Sequence, residues 1–137
     1  MKNTLNSTAQ INTQLDKLSF VLISHVNHGE IGQTFNFDAK LALFIEGYLV
    51  SKKAPSLKIE LNKFKKMKYA DLAKLLSNLY FKATKYDYLG YWVNNGIVYI
   101  DLTKNILDLN EAIIFGQNND QKAIWDCKNN SEITLNN

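Results

Sequence analysis

Arginine is absent from this chain: all sixteen basic residues among its 137 are lysines. The protein therefore lacks the planar guanidinium group that reads guanine edges and binds phosphate through two parallel hydrogen bonds. This absence argues against sequence-specific recognition of DNA. Seventeen asparagines accompany the lysines, a bias that an AT-rich coding sequence produces, so part of the lysine content reflects codon usage.

Cysteine is almost as scarce, since Cys127 is the only one. A single thiol cannot form an internal disulfide or supply a zinc site with several thiolates. The first fourteen residues are polar where a signal peptide requires an apolar run, and no later segment offers about 18 consecutive apolar residues. The sequence therefore predicts a soluble, cytoplasmic protein.

Motifs that carry known chemistry are also missing, including HExxH and the glycine-rich phosphate loop. His25, His28 and Glu30 could begin a metal site if folding delivered a further ligand. We interpret the histidines as structural instead, because His25 lies on an apolar helical stripe and His28 in a glycine-bearing connection. One cysteine and a distant histidine do not indicate nucleophilic catalysis. We expect no catalytic residue, no metal and no cofactor, and hence no enzyme.

Charge is distributed unevenly along the chain. Residues 51–85 hold ten lysines and two acidic residues, whereas 86–137 hold three lysines and seven acidic residues. The Lys-rich band 52–85 could follow a phosphate backbone with salt-sensitive affinity, but we favour a solvated surface, since charge runs usually serve solubility. The acidic last third could bind a Lys-rich surface of another molecule. The candidate nucleic-acid contacts, predicted to be exposed, are Lys63, Lys65, Lys66 and Lys68.

The N-terminal half predicts two amphipathic helices. The first could be capped by Ser7 or Thr8, and the second could begin at Asp38 and end before Pro55. Apolar residues at helical spacing support both. In the first helix they are Ile11, Leu15, Leu18, Leu22 and His25; in the second they are Leu41, Phe44, Ile45, Tyr48 and Leu49.

A short strand and a third helix complete the first 85 residues. Apolar and polar residues alternate over 57–61, which predicts a strand. The helix over 69–82 has a clear apolar face and leaves Phe81 pointing the opposite way. Residues 1–85 are therefore predicted to be mainly helical.

The strongest local signal is a β-hairpin centred on Asn95-Gly96, the dipeptide favoured in type I′ turns. It pairs 88–93 with 97–102, and both of its faces are apolar. One face, predicted to pack on the helices at 69–82 and 110–116, carries Leu89, Tyr91, Val93, Val98, Ile100 and Leu102. The other face carries Trp92 and Tyr99.

Two interpretations of the Trp92 and Tyr99 face stay open. We favour burial beneath the N-terminal helices, because a chain with this many helices can cover both faces of a small sheet. The alternative is a partner-binding surface, since Trp and Tyr dominate binding hot spots. The candidate anchors for a partner are Trp92, Tyr99, Phe81 and Tyr88.

The end of the chain predicts a helix and further strands. Asp108 and Glu111 have the spacing of a capping box, and Gly116 suits the left-handed position at the C-terminus of that helix. Strands are predicted at 123–127 and 132–135. The whole chain, 1–137, is thus expected to form a single α+β domain, in which a helical N-terminal half packs on a small, mostly antiparallel ββαβ(β) sheet in 86–137.

The segments YWVNNGIVYIDLTKNI and EAIIFGQNNDQKAIWD resemble the tail of small uncharacterised proteins of phages, prophages and plasmids from Gram-positive bacteria and actinobacteria. The likeness covers residues 88–135 and departs from that pattern by inserting Asp120 in a longer FGQNND loop. It implies a mobile-element origin and brings no assigned activity. The residues that carry it are Trp92, Gly96, Val98 to Asp101, Glu111, Ala112, Gly116, Gln121 and Ala123 to Asp126.

The leading functional hypothesis is a non-enzymatic, anti-CRISPR-like binding protein that inhibits a host defence complex by protein–protein contact. Its partner would be a host protein such as a CRISPR–Cas effector, with no membrane involved and with nucleic acid bound weakly or indirectly. The protein itself would be a monomer or a homodimer. The alternative is a nucleic-acid-binding accessory or regulatory protein that uses the band 52–85. A small enzyme ranks third, because no nucleophile, base and orienting group stand at suggestive spacing.

Overall fold

The computed structural model describes residues 8–136. Four helices and six strands lie in this part of the chain. In order they are α1 (Thr8–Asn27), β1 (Gly32–Phe35), β2 (Tyr48–Glu60), α2 (Leu61–Lys65), α3 (Tyr69–Lys82), β3 (Tyr88–Asn94), β4 (Ile97–Ile106), α4 (Leu109–Asn118), β5 (Ala123–Asp126) and β6 (Ser131–Thr134).

The α+β class is confirmed, but the predicted split into a helical N-terminal half and a C-terminal sheet is wrong. Strands β1 and β2 precede α3, and α4 lies between the strands of the last third. One antiparallel sheet contains all six strands in the order β1-β3-β4-β2-β5-β6. Residues from the first half of the sequence therefore form one edge strand of the sheet, β1, and its long interior strand, β2.

The helix predicted to begin at Asp38 is absent. The Asn36 side chain accepts hydrogen bonds from the backbone amides of Asp38 and Lys40, both at 3.0 Å, and Ala39 has a left-handed φ of 65°. Such a side-chain turn offers the backbone an alternative to a helix. Tyr48 begins β2 instead, because pairing with β4 and β5 satisfies the backbone groups of this segment.

The strand predicted at 57–61 is the end of the much longer β2. This strand pairs with β4 on both sides of a register shift between Ser51 and Ser56. Pro55 lies inside the shifted segment and not at the end of a helix. A proline cannot donate to a β-ladder, so it is tolerated where the pairing is interrupted.

The hairpin prediction is confirmed in register and in turn type. Trp92 is paired with Tyr99, and Val93 with Val98. Asn95 and Gly96 have φ values of 51° and 75°, as a type I′ turn requires. The strands β3 and β4 extend the predicted pairing to 88–94 and 97–106.

The main core lies between one face of the sheet and helices α1, α2 and α3. The predicted apolar stripe of α1 supplies Leu15, Leu18 and Leu22, each at most 1% exposed. The predicted helix at 69–82 is confirmed as α3 and buries four of its residues. The capping role predicted for Ser7 or Thr8 lies outside the side chains that the structure describes. The α3 residues in the core are Leu72, Ala73, Leu76 and Leu79, and the sheet residues are Phe35, Ile59, Leu89, Tyr91, Val98, Ile100 and Leu102.

Helix α4 packs in a second, smaller core and not on the hairpin face as predicted. Ala112 on this helix is buried with Val50, Ile124 and Leu135. The predicted cap is confirmed, since Asp108 accepts a hydrogen bond of 2.9 Å from the amide of Glu111. This cap fixes where the helix begins.

The predicted left-handed role of Gly116 is wrong. Gly116 is buried inside α4, and a Cβ there would meet Leu135 Cδ1 at 2.6 Å. The left-handed residue near the end of the helix is Asp120, with a φ of 55°. Gly116 therefore permits close packing of α4 on Leu135, which follows β6, and on Ile124 of β5.

Candidate functional site: the open face of the sheet

The second face of the hairpin belongs to a sheet surface on which no described helix buries its core residues. Side chains alternate along each strand, so Trp92 and Tyr99 point away from the core that contains Tyr91 and Ile100. Both hydrophobic clusters, including the one that holds α4, lie on the opposite side of the sheet. We call this surface the open face; the exception to its exposure is Thr103, in the row of Tyr88 and Ser51, which is 4% exposed. The predicted burial of Trp92 and Tyr99 beneath the N-terminal helices is therefore wrong: Trp92 is 47% exposed and Tyr99 is partly exposed.

The centre of the open face is a row of four residues in register across four strands. They are Gly32 on β1, Trp92 on β3, Tyr99 on β4 and Lys58 on β2. The Trp92 ring packs directly over Gly32, since Trp92 Cε3 lies 3.0 Å from where a Cβ of Gly32 would stand. The Lys58 Nζ atom lies 5.8 Å from the centre of the Tyr99 ring, within cation–π range. The row is an aromatic platform flanked by one cation.

The next row along the strands consists of small residues and one carboxylate. Thr34, Gly90, Asp101 and Ser56 stand in register, and none of them is buried. We call this row the trough. Within the described part of the chain, the Asp101 carboxylate accepts no hydrogen bond and forms no direct ion pair. Burial raises the pKa of Asp101 to about 6, although the positive charge of Lys58 lowers it in part.

Tyr88 borders the other side of the trough. It lies two residues before Gly90 on the same side of β3, and its ring meets the ring of Phe44 edge-on, with centroids 4.9 Å apart. Tyr88 and Trp92 are four positions apart on the strand, a distance of about 13 Å at 3.3 Å per residue. Aromatic rings therefore stand on both sides of Asp101.

The structure brings together three of the four predicted partner-binding residues. Trp92, Tyr99 and Tyr88 share the open face. Phe81 does not, because it lies on α3 in the helical layer, 68% exposed, with its ring against Tyr80 at 5.2 Å. Phe81 and Trp92 are thus on different surfaces of the molecule.

The basic band is divided by the fold. Lys52 forms an ion pair of 2.7 Å with Asp87, and Lys53 forms one of 2.6 Å with Asp120. Two acids of the last third therefore bind lysines of the same chain. The four lysines predicted as nucleic-acid contacts lie in α2 and just after it. They are exposed, as predicted: Lys63, Lys65, Lys66 and Lys68.

Asp87 lies on the core side of the sheet and is a structural residue that the sequence did not single out. Its side chain is fully buried and accepts hydrogen bonds of 2.7 Å from Lys52 Nζ and from the amide of Thr84. Its other oxygen has no hydrogen-bond partner and lies 3.8 Å from Lys104 Nζ. Burial raises the pKa of Asp87, but the bonds from Lys52 and Thr84 outweigh it and hold the pKa below its ordinary value.

The residues of the considered metal site contact one another or the backbone. His25 Nδ1 contacts the Glu30 carboxylate, and His28 Nδ1 lies 2.7 Å from the carbonyl oxygen of Ser24. The His25 ring also packs edge-on against Phe35. No cluster of three His, Cys, Asp or Glu residues that could hold a metal ion occurs within residues 8–136.

Cys127 is buried, and its surroundings disfavour the thiolate. Burial raises the pKa of Cys127, and the charge of Asp126 raises it further. A reactive cysteine requires the opposite shift, because the thiolate is the nucleophile. The thiol lies 3.9 Å from the Asn105 amide nitrogen.

Sequence reasoning missed Asp101, Gly90 and Lys58 as neighbours of the aromatic pair. The hairpin alternation already placed Asp101 two residues after Tyr99, on the same face, so that part of the site was available from the sequence. The pairing of Lys58 with Tyr99 was not, because it depends on the register between β2 and β4. Among the described helices, none combines the length and apolar character needed to cross a bilayer. No protein-family model, no curated protein and no solved structure matches this chain.

Proposed function

We propose that this chain is a non-enzymatic binding protein of a phage or other mobile element, which inhibits a host defence complex by protein–protein contact. A CRISPR–Cas effector is the concrete candidate for its partner. The observation that carries the proposal is the exposure of Trp92, 47%, in an aromatic row on a sheet face that no described helix covers.

The energetics of exposed aromatic residues support this choice of surface. A tryptophan in water leaves a large apolar area unburied, and contiguous apolar patches on a protein surface mark sites of interaction. Trp92 and Tyr99 stand on paired β-strands, and the Trp92 ring also packs on Gly32, so these residues lose little further freedom when a partner binds. Rigid aromatic anchors of this kind dominate binding hot spots.

The mobile-element resemblance adds weight to Trp92 in particular. Several residues that carry the resemblance have a role in folding: Gly96 makes the turn, Glu111 belongs to the helix cap, and Gly116 permits close packing. Trp92 contributes to neither core cluster. A role in binding accounts for a tryptophan at this position.

An affinity capture from host lysate, with and without nuclease, tests the proposal. Wild-type protein should retain a partner after nuclease treatment, and Trp92→Ala should lose it while keeping a cooperative melting transition. Truncation of a hot-spot residue costs at least about 2 kcal/mol, or roughly thirtyfold in affinity. Phe81→Ala is the matched control, because it removes an exposed aromatic residue from the helical layer.

Two results would contradict the proposal. If Phe81→Ala lost the partner and Trp92→Ala retained it, the open face would not be the binding surface. If every partner disappeared with nuclease, the alternative function in nucleic-acid binding would replace the present one. The exposure of Lys63, Lys65, Lys66 and Lys68 favours that alternative. Binding through these lysines should then fall steeply with salt.

A further inference from the structure

We propose that the open face recognises a lysine or arginine side chain of the partner, which enters the trough and pairs with Asp101 between the Trp92–Tyr99 row and Tyr88. This inference rests on the proposed function and specifies the chemistry of the partner. A cationic group on an aliphatic stem matches both parts of the site, since the charge pairs with the carboxylate and the stem and cation pack on aromatic rings.

The geometry of the trough admits such a side chain. Thr34, Gly90 and Ser56 are small, so the floor around Asp101 carries no large side chain in register with it. Trp92 and Tyr88 lie two residues on either side of Gly90 along the same face of β3. Thr103 forms the wall of the trough beside Tyr88, since its Oγ1 atom lies 2.7 Å from where a Cβ of Gly90 would stand. An extended side chain can therefore lie over Gly90 and Asp101 against Thr103, between the two aromatic borders.

The Asp101 carboxylate is available to a partner. Within the described chain no donor bonds to it, and the residue is only partly buried, so its oxygens can be reached from solvent. A carboxylate forms its strongest hydrogen bonds with a charged donor. A partner ammonium or guanidinium group would supply that donor.

Charge on the open face favours a cation over a nucleic acid. The trough lies on one side of the Trp92–Tyr99 row, and a row in which Glu60 pairs with Ile97 lies on the other. In these three rows Glu60 and Asp101 are negative, and Lys58 is the one positive residue. A phosphate backbone drawn across this surface would meet a net negative charge, even though its bases could stack on the rings. The patch is complementary to a basic protein surface.

Within the described chain, Lys58 is the one charged group that affects the pKa of Asp101. The residues in register with Asp101 on the other side, Gly90 on β3 and Thr34 on β1, are uncharged. Because the free carboxyl has a pKa of about 6, it is largely charged at pH 7.5 and largely protonated at pH 5. A bound cation stabilises the charged form, so affinity should rise as the pH increases through this range.

Side-chain analogues test the inference without a known partner. The backbone amide signals of the full chain can be followed by NMR during titration with butylammonium and butylguanidinium, with butanol and butyrate as neutral and anionic controls. We expect the cations to shift the amides of Gly90, Trp92, Tyr99 and Asp101, more strongly at pH 7.5 than at pH 5. Asp101→Asn should weaken this binding about tenfold or more and remove its pH dependence. Asp120→Asn, which removes an exposed carboxylate elsewhere, should leave it unchanged.

Opposite results would overturn the inference. If butanol shifted these amides as strongly as the cations do, the site would bind apolar groups and not charge. If an oligothymidylate shifted the same amides more strongly than the cations do, the face would be assigned to nucleic acid. No response to either cation would exclude the trough as a cation site. The two proposals fail separately. If Trp92→Ala abolishes capture of the partner and Asp101→Asn does not, the open face binds protein and only the cation inference is wrong; if Trp92→Ala retains the partner and Phe81→Ala loses it, the proposed function of the open face is wrong.

Discussion

The buried Asp87 carboxylate provides the sharpest test of how this fold is stabilised. Its side chain is fully buried, it accepts hydrogen bonds from Lys52 and from the amide of Thr84, and it lies 3.8 Å from Lys104. Asp87→Ala removes the negative charge and leaves the two lysines facing each other across the space it occupied. The replacement should therefore strongly destabilise the protein.

The magnitude follows from the burial of the three groups. Removing one member of a buried ion pair costs about 3–5 kcal/mol, because the remaining charge stays desolvated and unpaired. Lys52 and Lys104 keep side-chain exposures of 18% and 29%, so water can reach both, and the lower end of that range applies. Asp87→Asn should cost less, about 2 kcal/mol, since its amide oxygen can still accept the hydrogen bond from Thr84.

The pH dependence of this loss has a definite sign. The folded-state pKa of Asp87 is below the ordinary value of 3.8, so the folded state favours the charged carboxylate. The contribution is complete above the unfolded-state pKa and disappears as the pH falls through the folded-state pKa. The difference in stability between wild type and Asp87→Asn should accordingly be constant near neutral pH and shrink below about pH 4.

Urea denaturation at several pH values measures these differences directly. Asp120→Asn is the matched control, because Asp120 also pairs with a lysine but is exposed to solvent, and asparagine tolerates the left-handed φ of 55° at this position. Its free energy of unfolding should stay close to that of the wild type. If Asp87→Ala were as stable as Asp120→Asn, or if its defect grew as the pH fell, the ion-pair account of this region would be refuted.

Three further replacements test the hairpin and the core, each by urea denaturation with the midpoint and slope compared to wild type. Leu76→Ala should cost about 2–5 kcal/mol because its side chain is fully buried in the main core, and a smaller loss would show that the core relaxes around it. Gly96→Ala should cost roughly 1–2 kcal/mol, since a φ of 75° strains any residue with a Cβ while no neighbouring atom obstructs it; an unchanged midpoint would argue against the type I′ turn. Tyr91→Phe should cost about 1 kcal/mol through loss of the 2.9 Å hydrogen bond to the carbonyl of Glu30, and a stabilised variant would contradict that bond.

Local signals in the sequence determined the elements that are correctly predicted. The apolar stripe of α3, the capping residue Asp108 and the Asn95-Gly96 turn each act within a few residues of chain, so no distant contact is needed to read them. The turn fixed the hairpin register, and the register in turn placed Trp92 and Tyr99 on one face together with Asp101.

Only the tertiary structure decided which secondary structure the segment from Asp38 to Glu60 adopts and whether the aromatic face is exposed. The apolar spacing after Asp38 is helical, yet Tyr48–Glu60 forms a strand, because a strand between two partners satisfies its backbone groups along most of its length. Whether Trp92 is core or surface depended on which side of the sheet the helices occupy. All of them bury their apolar residues on the Tyr91 side, so the open face, with Asp101 in its trough, arises from packing between segments far apart in the chain.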